Sequence, residues 1–156
     1  NFGCEQPIVI INERGIEIIR DKNPNLLDKA RIVVNKSLHL GRFFSIKLGA
    51  NELENPKRVF IQNVDNPFVP SKTLLTLSKS HGEFDYVFPG YNGKGGHPIL
   101  VNKKIIESIQ NEEAADINFK VFLNKFNGDM VNVDDRKVTL NINTAAEYQS
   151  MLNEFF

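Results

Sequence analysis

The chain has 156 residues, of which 41% are hydrophobic and 24% are charged, a balance that suits one soluble domain with its own core. Basic and acidic side chains number 19 each, so the formal net charge is zero and no global field favours nucleic acid or an anionic membrane. Cys4 is the single cysteine, which excludes an internal disulfide and a cysteine-based zinc site.

Targeting signals are not visible in the sequence. No apolar run approaches the roughly 20 residues that span a bilayer, and the first residues do not resemble a signal peptide. We therefore expect a cytoplasmic protein in a reducing compartment.

Strands and helices alternate through the first half of the chain. Apolar runs and helical periodicities predict a strand over 7–12, a helix over 13–22, a strand over 30–35, a helix over 41–53, a strand over 58–65 and a helix over 70–80. Ser71 stands where an N-cap of the last of these helices is expected.

The second half continues the alternation. It predicts a strand over 84–91, a glycine-dense loop over 92–98, an extended segment becoming a helix over 99–110, a helix over 117–126, strands over 130–135 and 137–143, and a helix over 144–156. Thr144 and Glu147 form a capping-box pattern at the start of the last helix.

The early strands are apolar on both faces, as in parallel sheets that are covered by helices on both sides. We therefore predict a single α/β domain over 1–156. It would have three layers, α/β/α, with a mostly parallel sheet as the middle layer. Ligands bind at the carboxyl ends of strands in such sheets, and three predicted strands end in Asn12, Asn35 and Asp65. Each residue alone is more typical of a turn, whereas the set favours a site.

Asp65 has two interpretations of about equal weight. A carboxylate at a strand end can bind Mg²⁺, which typically takes one or two carboxylates together with substrate phosphates. Alternatively, Asp65 is a turn residue before Pro67, with no ligand.

The loop 93–98 and Asn143, when each is taken alone, are most simply explained as local structure without a ligand. The glycines of "GKGGHP", 93–98, can expose backbone amides to an anion, with Lys94 adding charge and His97 a donor, but a flexible hairpin tip is the simpler account. Asn143 can offer its side chain to a metal or a ligand, or make a local turn bond.

Covalent and histidine-metal catalysis have little support. The three histidines lie far apart in the sequence without an H-E-x-x-H motif, and no G-x-S-x-G motif occurs.

In order, "IVVN", "GRFFSIKLG", "VFIQNVDNPFV", "PGYNGKGGHPILV" and "VDDRKVTLNINTAAEY" resemble the MobA-like nucleotidyltransferases. That family includes the molybdenum-cofactor guanylyl- and cytidylyltransferases, within the nucleotide-diphospho-sugar transferase fold, which is Rossmann-like. The resemblance extends from about Ile8 to Tyr148. It implies transfer of a nucleoside monophosphate from an NTP to a phosphorylated acceptor, such as a molybdopterin or a sugar phosphate, with Mg²⁺ as cofactor.

The resemblance also implies roles for individual residues. Asp65 and His97 would be catalytic, and Asp65 would bind Mg²⁺ together with Asn143, which stands where many members carry a second acid. Two further groups of residues are implied, one on the nucleotide and one on the acceptor: Asn12, Asn35, Gly41 and Ser45 for the nucleotide, and Lys94, Gly95, Gly96 and His97 for the acceptor.

One departure from the family concerns the start of the chain. Members open with a strand and a glycine-rich loop bearing Arg and Lys, whereas "NFGCEQ" holds no such loop and the chain begins where the second strand of the family lies. Either the chain is a fragment, or it is a short relative that pairs its strands anew, for example as a homo-oligomer. A complete chain of this kind is expected to transfer nucleotides very weakly or not at all, and to bind a nucleotide or a protein partner without turnover.

Overall fold

The computed structural model describes residues 6–155, which form two compact units. Unit 1 consists of the described residues up to Lys57 together with Lys103–Phe126, and unit 2 of Arg58–Asn102 together with the described residues from Asn127 onward. Cys4 lies outside the described residues, as do most of "NFGCEQ" and Phe156 of the terminal "NEFF".

Unit 1 contains a parallel pair of strands, five α-helices and a short 3₁₀ helix at Leu38–Leu40. In chain order its regular elements are β1 (Ile8–Ile11), α1 (Glu13–Lys22), α2 (Leu26–Lys29), β2 (Arg31–Val34), α3 (Gly41–Asn51), α5 (Lys103–Asn111) and α6 (Phe119–Leu123). Strands β1 and β2 pair in parallel from Ile8 opposite Arg31 to Ile11 opposite Val34. The predicted strands and helices of this unit are present in the predicted order, whereas α2 and the 3₁₀ helix were not predicted.

Aromatic and aliphatic side chains form the core of unit 1. The Phe43 ring of α3 lies 5.0 Å from the Phe122 ring, within the range of favourable aromatic pairs. Three isoleucines on one face of α5 are fully buried: Ile105, Ile106 and Ile109. Their spacing matches the apolar stripe of an amphipathic helix, which explains why the sequence predicted this helix.

Unit 2 holds a five-stranded sheet, two α-helices and a 3₁₀ helix at Arg136–Thr139. Its regular elements are β3 (Arg58–Ile61), α4 (Ser71–Ser80), β4 (Tyr86–Tyr91), β5 (Lys94–Gly95), β6 (Ile99–Asn102), β7 (Gly128–Asn132) and α7 (Ala145–Phe155). The core contains Leu77, Val87 and Leu100, with Phe60 and Val131 packed against them.

The sheet of unit 2 is mixed, so the predicted α/β class is confirmed but the mostly parallel arrangement holds only for the small sheet of unit 1. Strand β6 lies between β3 and β4 and is antiparallel to both, β5 is antiparallel to β4, and β7 is parallel to β4. The cause is the short connection 92–98 after β4, because a parallel neighbour needs a crossover of a dozen or more residues. Strands β3, β4 and β7 therefore share one direction.

Two elements of unit 2 have other ends than predicted: β3 stops earlier, and α4 has a different N-cap. The strand predicted over 58–65 stops at Ile61, because Asn63–Asn66 form a turn closed by the Asn66 amide on the Asn63 carbonyl. Ser71 is the first helical residue rather than the N-cap of α4. Pro70 occupies the cap, where its carbonyl accepts from the Thr73 amide at 3.0 Å.

The predicted strand 137–143 is also wrong. Asp135 Oδ1 accepts from the Lys137 amide at 3.1 Å, a local bond that favours a 3₁₀ turn over a sheet ladder. The predicted capping box is confirmed, since Glu147 Oε2 accepts from the Thr144 amide at 2.9 Å and Thr144 Oγ1 accepts from the Glu147 amide at 3.2 Å.

Candidate functional site

The carboxyl ends of β3, β4 and β7 lie at the same edge of the unit 2 sheet, because these strands run in the same direction. In α/β sheets this is the edge where ligands bind. Asp65 lies in the turn that follows β3, Asn92 directly follows β4, and Asp134 lies two residues after the end of β7.

Asp65 is held by its backbone while one side-chain oxygen stays without a hydrogen bond. Its carbonyl accepts from the Ile142 amide at 2.6 Å, and its Oδ1 is buried with no hydrogen-bond partner. Buried polar atoms are nearly always satisfied, and the exceptions need an explanation such as an ion. A buried carboxylate oxygen of this kind fits a divalent cation such as Mg²⁺.

Among residues 6–155, no group of three His, Cys, Asp or Glu side chains could hold a metal by itself. A cation at Asp65 would therefore depend on water and on ligand oxygens for most of its coordination, which is the usual mode for Mg²⁺. Such a site would be complete only when a ligand supplies further oxygens.

Asn143 follows Ile142, the residue that bonds to the Asp65 backbone, and its side chain is exposed. The Asn143 amide donates to Glu147 Oε2 at 2.8 Å. This bond is the main reason that the pKa of Glu147 lies below its ordinary value. The capping box thus fixes the backbone of Asn143 and leaves its side chain exposed near the edge.

The glycine-rich loop contacts the segment that follows β7. The His97 amide donates to the Val138 carbonyl at 2.8 Å, and a Cβ added to Gly96 would overlap that same carbonyl oxygen. The Asn63 side-chain nitrogen lies 3.0 Å from His97 Nε2. Gly96 and His97 are therefore packed against both neighbouring turns.

Lys94 and Gly95 form the short strand β5 opposite β4. Asn92 and Gly93 connect the two strands with φ angles of 49° and 77°, the positive values that a two-residue type I′ hairpin needs. Beside this turn lies a depression of about 370 Å³ between residues 90–93 and 132–134. A hairpin, the simpler account of this loop from the sequence, is therefore present with Asn92–Gly93 at its tip, whereas the depression was not predicted.

In unit 1 the structure brings together two of the four residues expected at the nucleotide. Asn35 is 2% exposed, its Nδ2 donates to Ser45 Oγ at 3.0 Å, and its Oδ1 accepts from the Ser37 amide at 2.7 Å. Gly41 begins α3, the helix that carries Ser45.

Asn12, the fourth residue, is the N-cap of α1. Its side-chain oxygen accepts from the Gly15 amide at 2.7 Å. The local capping role that any strand-ending Asn can take is therefore present at this position.

Asn66 is a buried residue that sequence reasoning missed. Its side chain is fully buried and donates to the backbone carbonyls of Val138 at 3.1 Å and Leu140 at 2.6 Å. The only signal in the sequence was its position between Asp65 and Pro67, which equally suits a turn residue.

None of the described helices is long and apolar enough to cross a membrane.

A family model shows the family of the chain, and solved structures show its fold. The family described as MobA-like NTP transferase domain matches residues 1–125. No curated protein matches the chain in sequence. Solved structures do match, and three of them represent the range.

Rv0371c of Mycobacterium tuberculosis, solved in complex with manganese, is 16% identical with a TM-score of 0.76, over 97% of this chain and 79% of its own. The 4-diphosphocytidyl-2C-methyl-D-erythritol synthase of Anaerococcus prevotii is 14% identical with a TM-score of 0.70, over 94% and 77%. Molybdopterin-guanine dinucleotide biosynthesis protein A of Archaeoglobus fulgidus is 15% identical with a TM-score of 0.66, over 97% and 80%. At these identities the likeness shows the nucleotide-diphospho-sugar transferase fold.

Proposed function

The chain belongs to the family of MobA-like NTP transferase domains, and on this premise we propose that it transfers a nucleoside monophosphate from an NTP to a phosphorylated acceptor. The observation that carries the proposal is the buried Asp65 Oδ1, which has no hydrogen-bond partner and belongs to the turn after β3. That oxygen is suited to a cation that also binds the NTP phosphates.

Asp65 and Asn143 are the proposed ligands of the cation, and Mg²⁺ is the proposed metal. Manganese in the Rv0371c structure supports a divalent ion, since Mn²⁺ and Mg²⁺ favour the same oxygen ligands. When bound, the cation would neutralise charge on the phosphates, and the protein would supply position more than covalent chemistry.

The proposed acceptor region includes Lys94, Gly95, Gly96 and His97. The lysine charge favours an anionic group, while His97 is oriented by its contact with Asn63. The adjacent depression beside Asn92 and Gly93 has room for part of a small phosphorylated molecule such as a molybdopterin or a sugar phosphate.

For the nucleotide we propose the Asn35–Ser45 pair together with Gly41 and Asn12. Asn35 is buried and its Nδ2 donates to Ser45 Oγ, so Asn35 would act through Ser45 by orienting its hydroxyl. Because the oxygen of Asn12 already caps α1, its contribution would come from the side-chain nitrogen.

The experiment has two stages. Thermal unfolding is first measured with each of the common NTPs, with and without Mg²⁺ or Mn²⁺, because a ligand that binds only the folded state raises its stability. The NTP that stabilises the protein is then incubated with a molybdopterin or a sugar phosphate, and pyrophosphate release is followed. We expect metal-dependent stabilisation and acceptor-dependent release, and the absence of both would refute the proposal.

A second candidate is nucleotide binding without turnover. The observation that favours it is Asn143, which supplies an uncharged side chain at the position where many members of the family carry a second acid. It predicts the same metal-dependent stabilisation but no pyrophosphate release with any acceptor, so the second stage distinguishes the two candidates.

A further inference from the structure

We propose that Asn66 is a positioning residue that fixes Asp65 for its cation by tying the turn after β3 to the segment after β7. This inference rests on the proposed function, since it concerns the residue that we assign to the metal. Asn66 itself is fully buried, and its side chain bonds to backbone carbonyls.

The first step is the donor side of the Asn66 amide. Its Nδ2 lies 2.6 Å from the Leu140 carbonyl oxygen, 3.1 Å from that of Val138 and 3.4 Å from that of Lys137. An amide nitrogen carries two hydrogens, so both can be used and one can be shared. One side chain therefore holds the backbone of 137–140, a stretch that forms no strand.

The second step is the acceptor side. Gln62 Nε2 donates to the Asn66 backbone carbonyl and lies 3.3 Å from Asn66 Oδ1. A donor therefore faces the oxygen of the amide and acceptors face its nitrogen, so a single orientation satisfies both ends. An aspartate here would place carboxylate oxygens against backbone carbonyls, although it has the same shape.

The third step leads from Asn66 to Asp65. The segment held by Asn66 continues to Ile142, whose amide donates to the Asp65 carbonyl at 2.6 Å. Asp65 is thus fixed by Asn66 on one side in the sequence and by Ile142 across the turn. A carboxylate oxygen can stay buried without a hydrogen bond only if its backbone cannot move to expose it, and these contacts provide that restraint.

The Val138 carbonyl extends the same restraint to the glycine-rich loop. It accepts from Asn66 Nδ2 at 3.1 Å and from the His97 amide at 2.8 Å. Through one acceptor, Asn66 therefore connects the proposed metal ligand with the loop proposed for the acceptor.

Amide hydrogen exchange in the metal-free protein tests the restraint directly. In Asn66→Ser, we expect the Ile142 amide to exchange at least tenfold faster, because its acceptor is no longer held. Gln62→Ala, a change at an exposed residue, should give a smaller increase in the exchange rate of the Ile142 amide. The matched control is Asn102→Ser, which removes another amide of unit 2, bonded to Asp85 Oδ1 at 3.0 Å, and should leave Ile142 exchange unchanged.

Titration with Mn²⁺ in the presence of the stabilising NTP is the second measurement. We expect Asn66→Ser to weaken Mn²⁺ binding at least tenfold and Asn102→Ser to leave it within a factor of two. Unchanged Ile142 exchange in both Asn66→Ser and Gln62→Ala would overturn the inference. If the unsubstituted protein binds no metal–nucleotide complex, the proposed function fails, and the exchange rates alone decide the role of Asn66.

Discussion

The side-chain nitrogen of Asn63 lies 3.0 Å from Nε2 of His97. This contact between two side chains connects the turn after β3 to the glycine-rich loop. Donor and acceptor roles in this pair depend on the His97 tautomer, and with the Asn63 amide nitrogen as the donor, Nε2 is the acceptor. The pair orients the imidazole next to the turn that holds Asp65.

His97→Gln tests whether that imidazole serves the acceptor. We expect acceptor-dependent pyrophosphate release to fall at least tenfold, while the metal-dependent thermal stabilisation by NTP changes little, because the proposed cation ligand is untouched. His39→Gln is the control, since His39 is exposed in unit 1. Equal turnover in the two variants would remove His97 from the proposed mechanism.

Asp65→Asn should abolish binding of the cation without lowering the stability of the metal-free protein. The substitution removes the charge that the cation needs, so stabilisation by Mn²⁺ and NTP should disappear. The metal-free protein should be as stable as before, or more stable by about 1 kcal/mol, because a buried charged oxygen without a partner is no longer present. Chemical denaturation measures this difference.

The control for Asp65→Asn is Asp129→Asn, a change of the same type at an exposed residue of unit 2. It should preserve the response to Mn²⁺ and NTP. A strongly destabilised Asp65→Asn protein would instead indicate that Asp65 is a structural turn residue.

Gly96→Ala should destabilise the protein by more than about 2 kcal/mol, because the new Cβ overlaps a backbone carbonyl oxygen that cannot rotate away. Gly49→Ala is the comparison. There a Cβ would lie 3.4 Å from Ile10 inside a helix, so the same substitution should be neutral or stabilise by up to about 1 kcal/mol. Urea unfolding of both variants measures the difference, and similar free energies of unfolding would contradict the overlap at Gly96.

His81 should make folding stability depend on pH between about 5 and 7. Burial is the main reason that the pKa of His81 lies below its ordinary value of 6.5, with Arg58 lowering it further and Asp85 opposing. Since the unfolded chain then binds the proton more readily, His81 costs no stability above pH 6.5 and destabilises the fold as the pH falls through that value.

The measurement for His81 is the free energy of unfolding at several pH values, with His81→Gln as the comparison. The unsubstituted protein should lose more stability than the variant between pH 7.5 and 5.5. The carboxylates Glu112 and Glu147, whose pKa values are lowered by Lys125 and by the Asn143 amide respectively, act only at lower pH. Parallel pH profiles would show that His81 is accommodated equally well when charged.

The elements that the sequence predicted well depend on local chemistry. The strand at Ile8–Ile11, the α5 helix with its three buried isoleucines and the Thr144–Glu147 capping box each follow from residue spacing over one or two turns. The family resemblance was likewise carried by motifs in the right order, and the family match over residues 1–125 confirms it.

The elements that were missed depend on distant partners. Residues 137–143 have the composition of a strand, but their carbonyls are taken by Asn66 and by the His97 amide, which are far away in the sequence. The direction of β6 was missed because the parallel arrangement was inferred from the alternation of elements and from the apolar faces of the early strands. Had the Asn92–Gly93 hairpin signal been applied, an antiparallel return after β4 would have followed.

The Val138 carbonyl has a consequence for mutational scanning. Its oxygen belongs to the backbone, so every substitution at Val138 keeps the acceptor that Asn66 and His97 share. A scan would register only the loss of a fully buried side chain at this position and would classify it as packing. The connection between the two loops becomes visible only from the donor side, or by replacing the peptide bond after Val138 with an ester, which weakens the carbonyl as an acceptor and leaves the side chain intact.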